Sequence, residues 1–345
     1  MAIIDNPSET AFNTVLYAGT GSEQTVSGIN FQPDWTWLKS RSNGQPHVVS
    51  DSVRGATKQL YTADTQAETS YSQYVKSFNS DGFVLGTDSQ INQSSQTFVS
   101  WNWKAGTAFT NDASSTSIGS IDSAGSVSTD AGFSIVTYTG TGASATLKHG
   151  LSTAPKIILI KNRSRSSIEW RSYFSVVGNT KYMVLNETYA VSDADSNFMD
   201  DTSPTSSVFS LGSSATPNYD GDNYVAYCFS EKQNYSKFSS YTGNGNADGI
   251  FIYTGFKPAM VIIKCTDASG KNWEMFDNKR EGFNQSNDTI YANAADAEGS
   301  AGRCNLLSNG FKLTTGSTHL NTSGGNFLYM AFAENPFVTS TGVPA

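Results

Sequence analysis

Catalytic side chains are scarce in this sequence of 345 residues. Its three histidines, His47, His149 and His319, share no sequence context, and no Gly-x-Ser-x-Gly motif occurs. A serine or cysteine nucleophile needs a base such as histidine beside it, so the sequence has no recognisable acyl-transfer centre. We therefore expect that the protein is not an enzyme and binds no cofactor.

Cysteine and long apolar runs are equally rare. Cys228, Cys265 and Cys304 are an odd number without Cys-x-x-Cys spacing, which predicts small buried thiols rather than a disulfide, redox or zinc site. No apolar run approaches the ~18 residues of a membrane span. The first residues lack a basic segment followed by an apolar one, so we expect synthesis in a cytoplasm without a signal peptide and no membrane insertion.

Positive charge is also limited. Lys and Arg total 22 against 30 Asp and Glu, and the net charge of -8 disfavours nucleic acid and anionic membranes as partners. Charged residues make up only 15% of the chain, whereas glycine occurs 30 times among many Ser, Thr and Asn residues. This composition favours a soluble all-β protein whose short strands are joined by many turns.

One set of motifs occurs three times. Each block begins with Tyr-x-Gly-x-Gly at Tyr17, Tyr138 or Tyr241, and the same four features follow in order. These features are an X-Pro dipeptide (Pro33, Pro155, Pro258), a hydrophobic run ending at lysine (Lys39, Lys161, Lys264), a Phe-x-Leu segment (Phe83, Phe209, Phe311) and an aromatic-rich strand ending at Trp103, Phe229 or Phe332. Such a long period, with strand-like patterning, predicts tandem domains rather than a short-period solenoid.

The repeat predicts an all-β fold of three tandem homologous β-sandwich modules, of the jelly-roll or lectin kind. Module one covers residues 12–105, module two 132–231 and module three 235–337. Residues 1–11 form an N-terminal arm, residues 106–131 a Ser/Gly-rich linker and residues 338–345 a C-terminal tail. The long first junction predicts that module one is loosely tethered and that modules two and three are rigidly coupled, although an ordered arm wrapping a neighbour is the alternative.

Periodicity separates two kinds of strand. The closing strands, such as Val-Ser-Trp-Asn-Trp at 99–103, alternate in polarity and predict one buried face. The continuous runs at 157–160 and 260–263 predict central strands covered on both faces. Only the Ala-rich stretches 61–68 and 291–298 predict helix, of a turn or two.

One aligned position suggests recognition. His47, Trp170 and Trp273 fall at equivalent places, and modules one and three then carry Asp-x-x-Arg as Asp51 with Arg54 and Asp277 with Arg280. An aromatic ring beside such polar groups can bind a sugar, which makes these seven residues candidates for glycan or host contact. The alternatives are a core aromatic and a local ion pair that closes a turn.

Two weaker candidates complete the site predictions. A calcium loop of the EF-hand type is excluded because Phe198 and Pro204 replace its glycine and glutamate, which leaves a loose calcium site or a solvated acidic loop at Asp193, Asp195, Asp200 and Asp201. We otherwise expect no metal. In the arm, where Pro7 should prevent regular structure, Ile3, Ile4 and Pro7 are candidates for attachment to a virion.

Several long strings resemble a known group of proteins. The strings lie at residues 3–8, 12–17, 51–58, 81–86, 98–106, 156–163, 223–229 and 329–337, and so extend over nearly the whole chain. Together they look like the repeat-containing virion structural or tail fibre-like proteins of tailed phages that infect marine bacteria. The resemblance implies a location in the virion and assigns no catalytic residue. Unlike a typical long fibre, this sequence has no coiled-coil heptads and no collagen-like run.

Three functions therefore remain open. The resemblance favours a tail fibre or spike-associated protein that contacts the host surface. The alternatives are a decoration protein of the capsid or tail without receptor binding and, as the weakest, a polysaccharide depolymerase. The expected partners are other virion proteins, further copies in a homo-oligomer with a trimer as one option, and a host surface glycan.

Overall fold

The computed structural model describes residues 6–193, 195–280 and 288–336 and is built mostly of β-strands. The predicted all-β class is confirmed. The helical segments are single turns: α1 Pro7–Thr10, α2 Ser89–Asn92, α3 Ala113–Thr116, α4 Ala215–Asn218 and a 3-10 turn at Ser196–Phe198.

The strands of the first third are β1 Phe12–Ala18, β2 Gln24–Val26, β3 Trp35–Ser40, β4 Val48–Asp51, β5 Lys58–Tyr61, β6 Thr69–Ser70, β7 Val75–Asn79, β8 Gly82–Leu85 and β9 Thr97–Trp103. Those of the middle are β10 Thr107–Asn111, β11 Ser123–Ser128, β12 Phe133–Thr139, β13 Ala145–Lys148, β14 Ile157–Asn162, β15 Arg171–Phe174, β16 Met183–Val184, β17 Val208–Leu211 and β18 Asn223–Phe229. The last are β19 Ser236–Thr242, β20 Phe251–Tyr253, β21 Phe256–Cys265, β22 Glu274–Asp277, β23 Ile290–Tyr291, β24 Cys304–Leu307, β25 Gly310–Leu313 and β26 Asn326–Pro336.

Three larger antiparallel sheets share one strand order. Their common parts run β1-β9-β3-β4-β5, β12-β18-β14-β15-β16 and β19-β26-β21-β22-β23. Each larger sheet has a smaller sheet formed by strands from the same part of the chain. These smaller sheets are β2-β8-β7, β13-β17 and β20-β25-β24. The module boundaries and the count of three modules remain our interpretation of the sequence repeat.

Side-chain alternation explains the continuous apolar runs. In β14, Ile157 and Leu159 enter one core, whereas Ile158 and Ile160 enter a second core that includes Phe209 of the small sheet. Strands β14 and β21 each lie between two neighbours. The prediction of central strands covered on both faces is therefore confirmed.

The three larger sheets share an aromatic core. Trp35 of β3 stacks on Tyr227 of β18 with ring centroids 4.5 Å apart, and Phe229 lies 5.8 Å from Phe332 of β26. Phe12 of β1 belongs to the same core, and its ring centroid lies 5.5 Å from that of Phe332. Burying each such side chain contributes roughly 1.5–3 kcal/mol. The expectation of a loosely tethered module one is therefore wrong, because its largest rings are buried against the other two modules.

The stretch 106–131 is ordered. Strands β10 and β11 form a hairpin that adds to the sheet of module two through pairing of β11 with β12. Asp112 caps α3 by accepting hydrogen bonds from the backbone amides of Ser114 and Ser115. Of the two alternatives, the structure has the ordered arm, and its partner is the module that follows it.

Two other local predictions are wrong. The stretches 61–68 and 291–298 hold the ends of β5 and β23 followed by irregular chain, because isolated helices this short are marginal and these segments pack across module boundaries instead. Pro7 does not prevent regular structure but starts α1, where its missing amide costs nothing.

Candidate functional site

The aligned position of His47, Trp170 and Trp273 is inside the protein. The exposed fraction of these side chains is 0%, 0% and 1%. The indole Nε1 of Trp170 donates to the carbonyl oxygen of Tyr61 at 2.8 Å, and that of Trp273 donates to the carbonyl of Val184 at 3.1 Å. A sugar needs an open ring face, so the prediction of glycan contact at these three positions is wrong. They connect neighbouring modules.

His47 occupies the same place with different chemistry. Its Nδ1 accepts a hydrogen bond from Trp37 Nε1 at 2.7 Å, which places the proton of the neutral ring on Nε2. Burial and then the nearby Lys39 lower the pKa of His47 well below its ordinary value, so the imidazole is neutral. Among the described residues no acceptor meets hydrogen-bond geometry at Nε2, although the Tyr291 backbone of module three is close enough to raise the pKa.

Asp51 and Arg54 of module one form a buried ion pair at the contact with module two. The Arg54 Nε to Asp51 Oδ2 distance is 2.5 Å, and both side chains are 0% exposed. Tyr227 of module two donates to Asp51 at 2.7 Å, and Glu68 accepts from Arg54 at 3.0 Å and from Arg163 of module two at 2.8 Å. Burial lowers the pKa of Arg54, but Asp51, Tyr227 and Glu68 outweigh it and raise that pKa.

Asp277 and Arg280 of module three form an equivalent ion pair at the contact with module one. Arg280 Nε lies 2.6 Å from Asp277 Oδ2, and Trp101 of module one donates to the same oxygen at 3.1 Å. Glu298 accepts from Arg280 at 2.6 Å and from Arg41 of module one at 2.7 Å. The four Asp and Arg residues predicted to contact glycan are thus buried, and that prediction is wrong for them as well.

The contact between modules two and three is apolar at the equivalent place. Phe174 and Val177 replace the Asp and Arg, and the ring of Phe174 lies 5.6 Å from that of Trp273. A small void of about 10 Å³ lies beside these rings and Met330. It is lined by apolar side chains and holds no more than about one water molecule.

A closed set of backbone hydrogen bonds runs through all three contacts. Glu68 of module one donates its amide to the carbonyl of Arg163 in module two at 2.9 Å. Val191 of module two donates to Thr266 of module three at 2.9 Å, and Glu298 of module three donates to Arg41 of module one at 2.8 Å. We call this set, with the side chains described above, the inter-module ring.

The repeated lysines are buried in the same region. Lys161 donates to the carbonyls of Ile168 at 2.5 Å and of Thr65 in module one at 3.0 Å, and Lys39 donates to Ala295 of module three at 3.2 Å. Lys264 donates to Cys265 at 3.0 Å. Burial lowers the pKa of all three ammonium groups to about 8, from an ordinary value of 10.5.

This shift predicts a pH effect that a single substitution removes. Between pH 8 and 10.5 the unfolded chain holds a proton on Lys161 that the folded chain has lost, so Lys161 makes stability rise with pH across that window. We expect the stability of the wild type relative to Lys161→Met to increase by about 2 kcal/mol from pH 8 to pH 10. Urea unfolding of both proteins at several pH values measures the difference, and contributions from cysteine and tyrosine cancel. Parallel stability profiles would refute the assignment.

The acidic stretch at 193–201 does not assemble a metal site. Asp195 pairs with Arg171 and accepts from Ser214 at 2.5 Å, while Asp200 accepts from Ser144 at 2.9 Å. Across the described residues, no three His, Cys, Asp or Glu side chains come together as metal ligands. The loose calcium site proposed at Asp193, Asp195, Asp200 and Asp201 is therefore not formed.

Glu274 of module three is a buried titratable group that the sequence pattern did not indicate. Glu274 accepts from Arg303 at 2.8 Å, and the His319 ring lies 3.6 Å from it. Burial raises the pKa of Glu274 to about 7 against the opposing effect of Arg303. Burial and then Glu274 raise the pKa of the Cys304 thiol, which therefore stays protonated and is a poor nucleophile. The prediction of buried thiols is confirmed for all three cysteines.

The predicted virion attachment residues are only partly described. Pro7 is buried at the start of α1, which contacts β1 and β26. Ile3 and Ile4, like the tail at 338–345, lie outside the described residues. Pro7 itself is therefore unavailable for an external contact.

An exposed aromatic platform lies on the loops of module two. Tyr219 follows α4 and is 41% exposed, and the guanidinium of Arg165 lies 3.7 Å from its ring centroid. Asp222 fixes this guanidinium through a 2.6 Å ion pair, and Tyr224 Oη accepts from the Tyr219 amide at 2.7 Å. We call Tyr219 and Arg165, with the carboxylate of Asp222, the Arg165–Tyr219 platform.

A concavity adjoins this platform. It measures about 350 Å³ and is lined by Gly142, Ser213, Ala215, Asn218, Tyr219 and Asp220. The nearby Gly140 has to be glycine, since a Cβ there would lie 2.3 Å from the Tyr219 carbonyl oxygen. A larger open groove of about 440 Å³ lies around Arg163 and Asn223 and contains the carboxylates of Asp112 and Asp122.

Tyr219 does not belong to the residues that align among the three repeats, so the repeat pattern does not indicate it. The loops at this position read Asn-Gln-Ser-Ser from Asn92, Asn-Tyr-Asp-Gly from Asn218 and Asn-Thr-Ser-Gly from Asn321. A large aromatic residue in one loop tip of the three was the available signal. Loops carry recognition residues more often than the strands that position them.

Comparison with known proteins supplies a family without a function. In the described part of the chain, no helix has the length and apolar character that crossing a bilayer requires. No curated protein matches the sequence. A family model described as a domain of unknown function, DUF7483, matches residues 6–336, and the chain belongs to this family.

Proposed function

We propose that this chain is a structural protein of a bacteriophage virion, associated with the tail fibre or spike, and that it contacts the host surface through the Arg165–Tyr219 platform. The virion setting rests on the sequence resemblance to tail fibre-like proteins. The observation that carries the contact is a half-exposed tyrosine, stacked on a fixed guanidinium, beside an open concavity.

The rest of the molecule supports this role as a scaffold. A core shared by the three large sheets and the inter-module ring hold the loops of module two in a defined position. A tyrosine presented on such a scaffold buries a large area on contact and loses little side-chain entropy. The partners that we propose are other virion proteins and a component of the host surface.

Adsorption competition tests the contact. Purified protein should block adsorption of the phage that carries it, and Tyr219→Ala should raise the concentration needed by roughly thirtyfold, the effect of removing an aromatic hot spot. Tyr71→Ala is the matched control, since Tyr71 is 45% exposed and lies in module one. Equal blocking by wild type and Tyr219→Ala would contradict the proposal.

A decoration protein without receptor binding is the second candidate. Phe251 and Tyr253 are 45% and 54% exposed on β20, which is an edge strand of its sheet in the described part of the chain. Neighbouring exposed aromatic side chains of this kind mark protein contacts. Antibody labelling of whole virions tests the first candidate, because label confined to the capsid or the tail tube would exclude a protein of the tail fibres or spike. Sedimentation of the purified chain tests the predicted homo-oligomer.

A further inference from the structure

We propose that the concavity at the Arg165–Tyr219 platform binds one neutral pyranose ring of a glycan. This inference rests on the proposed function, since it names the ligand class of the same surface. Three features carry it: the fixed aromatic ring, an unused carboxylate and the local balance of charge.

The aromatic ring is held before any ligand arrives. Arg165 is fixed by Asp222, and Asp222 also accepts from Asn162 at 2.8 Å. Asn162 in turn donates to Tyr224 Oη at 2.9 Å, the atom that accepts from the Tyr219 amide. A ligand that stacks on Tyr219 therefore spends little free energy on ordering the loop.

The polar groups of the concavity divide into used and unused ones. Asn218 is used, because its Nδ2 donates to the carbonyls of Ala143 at 2.6 Å and Gly212 at 3.2 Å while its Oδ1 accepts from Thr141. Asp220 is exposed, and its carboxylate has no hydrogen bond or ion pair within the described residues. A carboxylate accepts hydrogen bonds from two neighbouring hydroxyl groups, which a pyranose presents beside its apolar ring face.

The charges select a neutral sugar. The positive charge of Arg165 is already paired with Asp222, so Asp220 leaves the concavity with a net negative charge. A uronic or sialic acid would bring a second carboxylate against Asp220 and is disfavoured. The volume of about 350 Å³ lies at the small end of ligand pockets and suits a single sugar ring.

The test uses the full chain and defined sugars. Saturation-transfer NMR and calorimetric titration are run with the methyl glycosides of glucose, galactose, mannose and N-acetylglucosamine, and with methyl glucuronide as the acidic comparison. We expect at least one neutral glycoside to bind and the glucuronide to bind at least about tenfold more weakly. Tyr219→Ala should weaken binding at least about tenfold and Asp220→Asn roughly fivefold, whereas Tyr71→Ala should change it less than twofold.

Several outcomes overturn the inference. These are the absence of binding by every neutral glycoside, equal binding of the glucuronide, or unchanged affinity in Tyr219→Ala with an unchanged melting temperature. If no sugar binds but Tyr219→Ala still loses adsorption blocking, the ligand class is wrong and the proposed host contact stands. If a neutral sugar binds but antibody finds no protein on the tail, the proposed function fails and the sugar site stands.

Discussion

Replacing Arg54 by alanine is expected to lower the free energy of unfolding by about 3–5 kcal/mol, because the substitution leaves the buried carboxylate of Asp51 without its partner. Asp51 and Arg54 are both 0% exposed and lie at the contact between modules one and two. The hydrogen bonds that remain, from the Tyr227 hydroxyl and from the backbone amide of residue 54, cannot replace a full positive charge. Equilibrium unfolding in urea, with fluorescence of the six tryptophans as the signal, measures the loss.

The chain contains its own controls for this prediction. Lys76 and Glu23 form an exposed ion pair, and Lys76→Ala should change stability by less than about 0.5 kcal/mol. Module two carries the buried Phe174 and the half-buried Val177 at the equivalent place, so the double variant Asp51→Phe with Arg54→Val imitates a contact that the protein already makes. We expect the double variant to be more stable than Arg54→Ala, because it leaves no unpaired charge. An Arg54→Ala protein as stable as the wild type would show that the pair is not needed for the module contact.

Replacing Trp35 by alanine is expected to cost about 3–5 kcal/mol, the range for deleting a large buried aromatic side chain. Trp35 is 1% exposed and packs on Trp103 at 4.6 Å, on Tyr227 at 4.5 Å and on Phe133 at 5.8 Å. Two of these three rings belong to module two. The cavity would therefore destabilise two modules at once.

The form of the unfolding transition tests whether the core is shared. We expect Trp35→Ala to unfold in one transition with a lower midpoint, monitored by both fluorescence and circular dichroism. Tyr71→Ala serves as the control, because Tyr71 is 45% exposed and its loss should change the midpoint little. Two separated transitions, with modules two and three unaffected in the second, would mean that the modules are independent units.

The local features of the fold were readable from the sequence because they depend on short-range patterns. Alternation at 99–103 predicts the one-sided pattern of a closing strand, and the continuous run at 157–160 predicts coverage on both faces. Both runs are strands at those places, as parts of β9 and β14, and coverage on both faces is confirmed for β14. The single buried face predicted for 99–103 is wrong, because Ser100 and Asn102 are 0% exposed like Val99 and Trp101. The single thiols of Cys228 and Cys304 were predictable in the same way, because an apolar strand buries whatever small side chain it carries.

The roles of the aligned residues were not readable, because burial depends on partners far away in the chain. Trp170 meets the carbonyl of Tyr61 across 109 positions, and Trp101 meets Asp277 across 176. Neither contact follows from the periodicity of a single module. An aromatic residue beside Asp and Arg has the same local sequence whether it stacks on a sugar or connects two modules.

The sequence by itself determined the all-β class, the threefold recurrence of motifs and the residues that could carry charge or aromatic surface. Only the tertiary structure decided that His47, Trp170, Trp273 and the two Asp-Arg pairs face inward, and that Tyr219 faces outward. The physical reason is that strand patterns specify which side chains share one face of a sheet, whereas the faces that become buried depend on the contacts between sheets that close the inter-module ring. That closure joins residues far apart in the chain, such as Thr65 with Lys161 across 96 positions and Asp51 with Tyr227 across 176, and a pattern of period two contains no information about it.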